Sequence, residues 1–203
     1  LIGLNKLSKS YYLITIEGAM FLGKTEENLK TAFAGESQAR NKYDYFAKIA
    51  QKEGYHYIAS IFEETALNEM QHAKDEFKRL NGIGDTATNL KEAIAGEDYE
   101  TTSMYPQFAK EAKEEGNEDA AKLFTEIAEV EERHRERFKK LLELVENGTL
   151  WKRNEPIEWK CSKCGYRHTG TEPPQECPSC KHSKEYYEPS DLSILPPRTQ
   201  EKE

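Results

Sequence analysis

Asn28-Leu29-Lys30-Thr31-Ala32-Phe33-Ala34-Gly35-Glu36 returns as Asn89-Leu90-Lys91-Glu92-Ala93-Ile94-Ala95-Gly96-Glu97, an offset of 61 positions from Asn28 to Asn89. Downstream the offset becomes 62, matching Tyr43 to Tyr105, Phe46 to Phe108, Gly54 to Gly116, Glu69 to Glu131 and His72 to His134. Self-similarity of this length means one structural unit used twice. Within each copy the apolar positions recur at spacings of three and four, through Leu29, Ala32, Phe33, Phe46 and Ala50, and through Ile58, Ile61, Phe62 and Ala73. That period makes each unit a pair of amphipathic helices. The predicted order is helix, helix, loop, helix, helix, with a turn at Glu53-Gly54, a loop over Asn81-Gly82-Ile83-Gly84-Asp85 and a stop at Asn147-Gly148. The step from 61 to 62 requires one extra residue in the third helix between Glu97 and Tyr105, predicted to be taken up by a π-bulge.

The repeat isolates the chemistry. In each copy one helix carries a Glu on its apolar stripe, Glu36 or Glu97, and its partner carries Glu-x-x-His, Glu69 with His72 or Glu131 with His134. Residues three apart share a helix face with Cβ atoms about 5–6 Å apart, so each Glu-x-x-His can grip one metal or bridge two. A single Glu on such a stripe is ordinarily a boundary residue that reaches solvent or a basic partner. Four carboxylates and two imidazoles aimed into one core are costly without compensation, and two divalent cations supply it. Carboxylate with imidazole suits iron or manganese better than copper, with zinc still possible by affinity. Gly35 and Gly96, one residue before each ligand, suggest close helix packing at that level. Tyr43 and Tyr105 are read as hydrogen-bonding groups behind the ligands, against the alternative of core aromatics.

All four cysteines lie in the tail, as Cys161-Ser162-Lys163-Cys164 and Cys177-Pro178-Ser179-Cys180. Clustered in this way they describe one tetrahedral thiolate site and not a disulfide framework, which places the chain in a reducing cytoplasm. The spacing alone leaves zinc and iron open: zinc would be structural and redox-silent, iron would exchange one electron. A net charge of −8 and the lack of any basic cluster with interleaved aromatics exclude a nucleic-acid surface. There is no membrane-spanning run. The opening stretch, with Lys6 and Lys9 before Tyr12-Leu13-Ile14-Thr15-Ile16, imitates a secretory leader but is too short and is broken by Glu17. Residues 1–19 are read as an extension ahead of a native start at Met20.

The combination of Ala34-Gly35-Glu36, Glu69-x-x-His72, Ala95-Gly96-Glu97-Asp98-Tyr99-Glu100, Glu131-x-x-His134 and the Cys161–Cys180 tail resembles the rubrerythrin family over about residues 20–190. The resemblance implies a mainly α chain: a ferritin-like four-helix bundle over 20–148 holding two iron ions, a linker over 149–156, a small rubredoxin-like domain over 157–190 holding one iron on Cys161, Cys164, Cys177 and Cys180, and a tail over 191–203. It further implies that Glu100 is an additional iron ligand, exchanged for His72 on a change of redox state, that the chain forms a homodimer, and that the activity is that of a peroxidase in oxidative-stress protection. The expected reaction reduces hydrogen peroxide to water with electrons relayed through the tail iron. No Gly-x-Gly-x-x-Gly fingerprint is present, so electrons must come from a separate NAD(P)H-linked reductase or a rubredoxin-type donor. An iron-oxidising storage protein is the main alternative, and a structural zinc-ribbon adaptor a further one. The connector raises one more expectation. Bundle helices of about 26 residues are about 39 Å long, whereas Asn81 to Thr88 extends over at most about 29 Å, which leaves either helix ends joining the crossover or helix pairs exchanged between two chains.

Overall fold

The computed structural model describes residues 23–190, together with two short paired strands, β1 (Thr15–Ile16) and β2 (Ala19–Met20). The rest of the expected 1–19 extension, and the tail from 191 on, lie outside the described residues. The chain divides between Ile83 and Gly84 into two compact units.

The first unit is a helical hairpin of α1 (Lys24–Lys52) and α2 (His56–Arg79). Its pairings run in opposite senses along the two helices. Phe33 stacks on Phe77 at 4.8 Å, Tyr43 lies against Phe62, and Gln51 Nε2 donates to Glu63 at 2.7 Å. The seam is made of alanines, with Ala59, Ala66 and Ala73 buried at intervals of seven along α2 opposite Ala47 and Ala50 of α1. Small residues at that period let two helices lie close at a shallow angle. The turn between them works because Gly54 adopts φ 84°, which lets Tyr55 N–H reach back to Ala50 O at 2.8 Å and satisfy a carbonyl that the helix leaves open. Large apolar side chains stay uncovered on this hairpin, among them Phe46, Ile49, Ile58 and Ile61, each close to half exposed.

The second unit begins with α3 (Thr86–Tyr99), capped by Asp85, whose carboxylate accepts from Thr88 N–H at 2.8 Å. A π-helical segment (Glu100–Met104) continues it into α4 (Tyr105–Glu114), and Gly116 at φ 76° turns the chain into α5 (Glu118–Glu146). The π segment is where the repeat offset changes: Tyr105 N–H bonds to Glu100 O, an i to i+5 link. Pro106 explains its position. It brings no N–H, so a regular helix would leave a carbonyl one turn back unbonded and crowded by the ring, and a wider turn relieves both. Beyond the bulge the copies match closely. Tyr43, Phe46 and Phe62 are separated by 6.3, 6.1 and 5.6 Å, and Tyr105, Phe108 and Phe124 by 6.4, 6.2 and 5.6 Å. Ala109, Ala112 and Ala121 are buried as Ala47, Ala50 and Ala59 are. One position departs: Arg135 stands where the repeat has Ala73, and its guanidinium ties α5 to α3 through Asp98 at 2.8 Å.

The same unit ends in a three-stranded antiparallel sheet of order β4-β3-β5, from β3 (Ile157–Cys161), β4 (Arg167–Gly170) and β5 (Tyr187–Pro189). Its core is Trp159, Cys161, Cys177 and Tyr187, with Trp151, Ile157 and Cys180 packed around it. The predicted close packing at Gly35 and Gly96 is not found. A Cβ built at either meets nothing within 4 Å among the described residues, because both glycines lie on a helix face that their own hairpin partner does not cover.

Candidate metal centres

Each hairpin gathers three of the predicted ligands. Glu36 of α1 meets Glu69 and His72 of α2, and Glu97 of α3 meets Glu131 and His134 of α5, with one ligand atom from each residue within 4.8 Å of the others in each group. The spacing of three holds each His against its own Glu. His72 Nδ1 lies 2.9 Å from Glu69 Oε2, and His134 Nδ1 lies 2.6 Å from Glu131 Oε2 and 3.8 Å from Glu97 Oε1. Glu100, on the π segment, falls outside the second group of three, but its carboxyl feels the charges of Glu131 and His134.

The electrostatics are those of carboxylates crowded together. Glu36 is pushed above the ordinary carboxylate value by its hydrogen bond with Glu69, by burial and by the charges of Glu69 and Glu76. Glu69 is held below that value by the same hydrogen bond and by His72. In the second hairpin burial raises both Glu97 and Glu100, with the neighbouring Glu131 adding to the effect. Tyr105 is raised by burial and then by the charges of Glu100, Glu131 and Glu97, so its hydroxyl stays protonated beside them. Glu97 Oε2 is buried and has no hydrogen-bond partner. An orphaned carboxylate oxygen among two more carboxylates and an imidazole fits a divalent cation, whose charge removes the repulsion and completes the coordination. Tyr43 lies among Phe46 and Phe62, as Tyr105 lies among Phe108 and Phe124.

Glu76 was missed by the sequence reading. It sits two turns beyond Glu69, its Oε2 is buried without a partner, and its charge reaches Glu36. The spacing of seven was a usable signal, but the repeat hides it because the matching position is Phe138.

The four cysteines converge in the small sheet domain. Cys161 Sγ lies 3.7 Å from Cys180 Sγ, and Cys164 Sγ lies 3.7 Å from Cys177 Sγ. Four sulfurs on one metal at about 2.3 Å stand about 3.8 Å apart, so the donor set and its spacing fit a tetrahedral thiolate site. Two knuckles build it: Gly165 N–H bonds to Cys161 O at 2.8 Å and Lys181 N–H to Cys177 O at 2.9 Å, each with its backbone in the left-handed region. Burial pushes the Cys177 thiol up, but the polar groups near it, the Tyr187 hydroxyl, the Cys180 and Ser179 backbone and Cys164, outweigh it and hold the group at about 6.

The family model for rubrerythrin matches residues 27–142, and that for the rubredoxin-like domain of rubrerythrin matches residues 159–188. The chain is a member of the rubrerythrin family. A rubrerythrin from Porphyromonas gingivalis is 47% identical over 179 residues, covering 82% of this chain and 90% of the relative. A rubrerythrin from Nitratidesulfovibrio vulgaris is 45% identical over 178 residues, covering 81% and 93%. Nigerythrin from the same organism is 35% identical over 180 residues, covering 82% and 86%. Membership of the rubrerythrin family gives the mainly α, ferritin-like fold class with a small rubredoxin-like domain, and iron as the metal for both kinds of donor set. Among the described residues no helix is long and apolar enough to cross a membrane.

Proposed function

We propose that the chain is a peroxidase that reduces hydrogen peroxide to water, taking two electrons and two protons per peroxide, in protection against oxidative stress. The observation that carries this reading is the pair of Glu plus Glu-x-x-His groups, one per hairpin and alike in make-up, in the same chain as a four-thiolate site. In this reading Glu36, Glu69, His72, Glu97, Glu100, Glu131 and His134 hold two iron ions, and Cys161, Cys164, Cys177 and Cys180 hold a third. The iron pair supplies the electrons that break the O–O bond when bound.

The chain's own groups do the rest. Glu69 and Glu131 orient the imidazoles of His72 and His134 through the contacts at their Nδ1 atoms. Tyr105, kept protonated by its surroundings, presents a hydroxyl next to the carboxylates, and Tyr43 has the same place in the other copy. Electrons enter one at a time at the cysteine site from an NAD(P)H-linked reductase or a rubredoxin-type donor. The four free thiols suit a reducing cytoplasm.

The working form is a homodimer. Helix α2 has 24 residues, a length of about 36 Å. The connector over residues 80–85 reaches about 25 Å when extended. A crossover along the length of α2 therefore needs either helix ends that join it or hairpins exchanged between the two chains.

The test is metal analysis with visible spectra before and after dithionite, followed by peroxide turnover driven by NADH through an added reductase. A red chain that bleaches and then turns over peroxide supports the reading. Sustained iron mineralisation with negligible peroxide turnover would replace it with iron storage, and a colourless zinc-loaded tail with no redox response would remove the relay.

A further inference from the structure

The small domain holds a polar atom that the peroxidase reading leaves unused. Tyr187 is 4% exposed, in the core with Trp159, Cys161 and Cys177. Its backbone is fixed on both sides: it pairs with Cys161 across the β3–β5 ladder, and its carbonyl accepts from Trp151 Nε1 at 3.2 Å. The ring therefore cannot swing out to solvent. Its hydroxyl is enclosed and has no hydrogen-bond partner of ordinary geometry. The Cys177 sulfur is part of the same buried cluster. An O–H buried without a partner is costly, and a sulfur in thiol form is a weak acceptor. A thiolate carries a full charge and accepts such a bond well.

We propose that Tyr187 is a positioning residue for electron transfer, donating its hydroxyl to the Cys177 thiolate of the loaded site and thereby raising that site's reduction potential. The proposal rests on the iron reading of the cysteine site. The physical reason is charge. One iron on four thiolates gains one negative charge when it takes up one electron from the reductase, and the added charge spreads onto the sulfurs. A hydrogen bond to a sulfur stabilises the more negative, reduced form more than the oxidised one. The other donors near Cys177 are backbone N–H groups, which any residue supplies. The Tyr187 hydroxyl is the donor that sequence controls. A phenylalanine there would fill the same space without it.

The experiment compares the full-length, iron-loaded protein with its Tyr187→Phe variant by potentiometric titration, following the visible thiolate-to-iron absorption. The midpoint of the variant is expected to fall and its charge-transfer bands to shift in energy, with iron content and melting unchanged. A second measurement requires no substitution. Protein grown on fluorotyrosine carries a more acidic, stronger donor, so its midpoint should rise, and that rise should vanish when the same labelling is applied to Tyr187→Phe. An unchanged midpoint and unchanged bands in Tyr187→Phe with full iron content would overturn the proposal. If that variant failed to load iron, the absence of any upward shift in the fluorinated protein would overturn it equally. Zinc in place of iron in the protein as isolated would instead strike at the reading beneath, and metal analysis separates that outcome from the others.

Discussion

Lys181 holds its backbone at φ 64°, the place in its knuckle that Gly165 fills at φ 77° in the other. A side chain in the left-handed region costs about 1–2 kcal/mol, and the ion pair from Lys181 to Glu176 at 3.5 Å is exposed at both ends and offsets little of it. Lys181→Gly should therefore stabilise the small domain by about 1 kcal/mol after the added freedom of the unfolded chain is counted. The expected outcome is a higher temperature for loss of the thiolate–iron absorption on heating. The carboxylates predict a separable loss. Glu69→Ala or Glu131→Ala removes one member of a group of three and should abolish peroxide turnover while leaving the colour of the cysteine site, because the two sites share no ligand. Retention of full turnover by either variant would refute the assignment of the hairpin groups.

At the scale of the element, α3, the π segment and α4 act as one helix with a wide turn that absorbs one residue. Removing one residue from Glu100–Met104 would restore a uniform repeat offset and leave Tyr105 seven positions after Glu97, as Tyr43 stands after Glu36 on the unbroken α1, so the aromatic face toward α5 would be kept. Deleting Thr102 instead takes away the wide turn before Pro106, whose ring and missing N–H a regular helix holds only at a cost on the order of 3 kcal/mol, and calorimetry would show a lower melting temperature. The same element sets a pH dependence. Glu97 and Glu100 are raised above the ordinary value of 4.5, chiefly by burial. The folded, metal-free chain thus binds their protons more tightly than the unfolded chain does. Their stabilising contribution is complete below 4.5 and is lost as the pH rises through their folded values. Metal reverses the sign, since ligation requires ionised carboxylates and strengthens over the same rise. Melting followed by helical circular dichroism, with chelator and with ferrous iron under anaerobic conditions, should show opposite slopes, and Glu97→Gln should flatten the first.

At the scale of the molecule, the proposed ligands of the iron pair end at His134, and the cysteine site begins at Cys161. A chain truncated after Asn154 should keep its bundle iron and be oxidised once by peroxide, but its turnover with a reductase should collapse. Mixing chains tests transfer in trans. Tail-less chains mixed with full-length chains carrying Glu69→Ala should regain turnover in verified heterodimers if electrons entering at one chain's cysteines cross to the other chain. No recovery in such heterodimers would count against transfer between chains, and reductase-driven turnover by the truncate alone would overturn the relay.

Much of this was legible in the residue order because its causes are local. A period of three and four marks a helix face, Gly54 and Gly116 mark turns that need a left-handed residue, and two cysteine pairs mark knuckles, each within a turn or two of backbone. Even the bulge showed itself, since an inserted residue must alter the spacing of two copies that otherwise pack alike. Its exact place did not, because it depends on how Pro106 sits against the turn before it. Tertiary structure alone decided what stands across from what. It left Gly35 and Gly96 uncovered, tied Arg135 to Asp98, put Glu76 within reach of Glu36, and set the Tyr187 hydroxyl beside Cys177. These relations join positions far apart along the chain, and such distances follow from the path of the backbone through space, to which no local spacing refers.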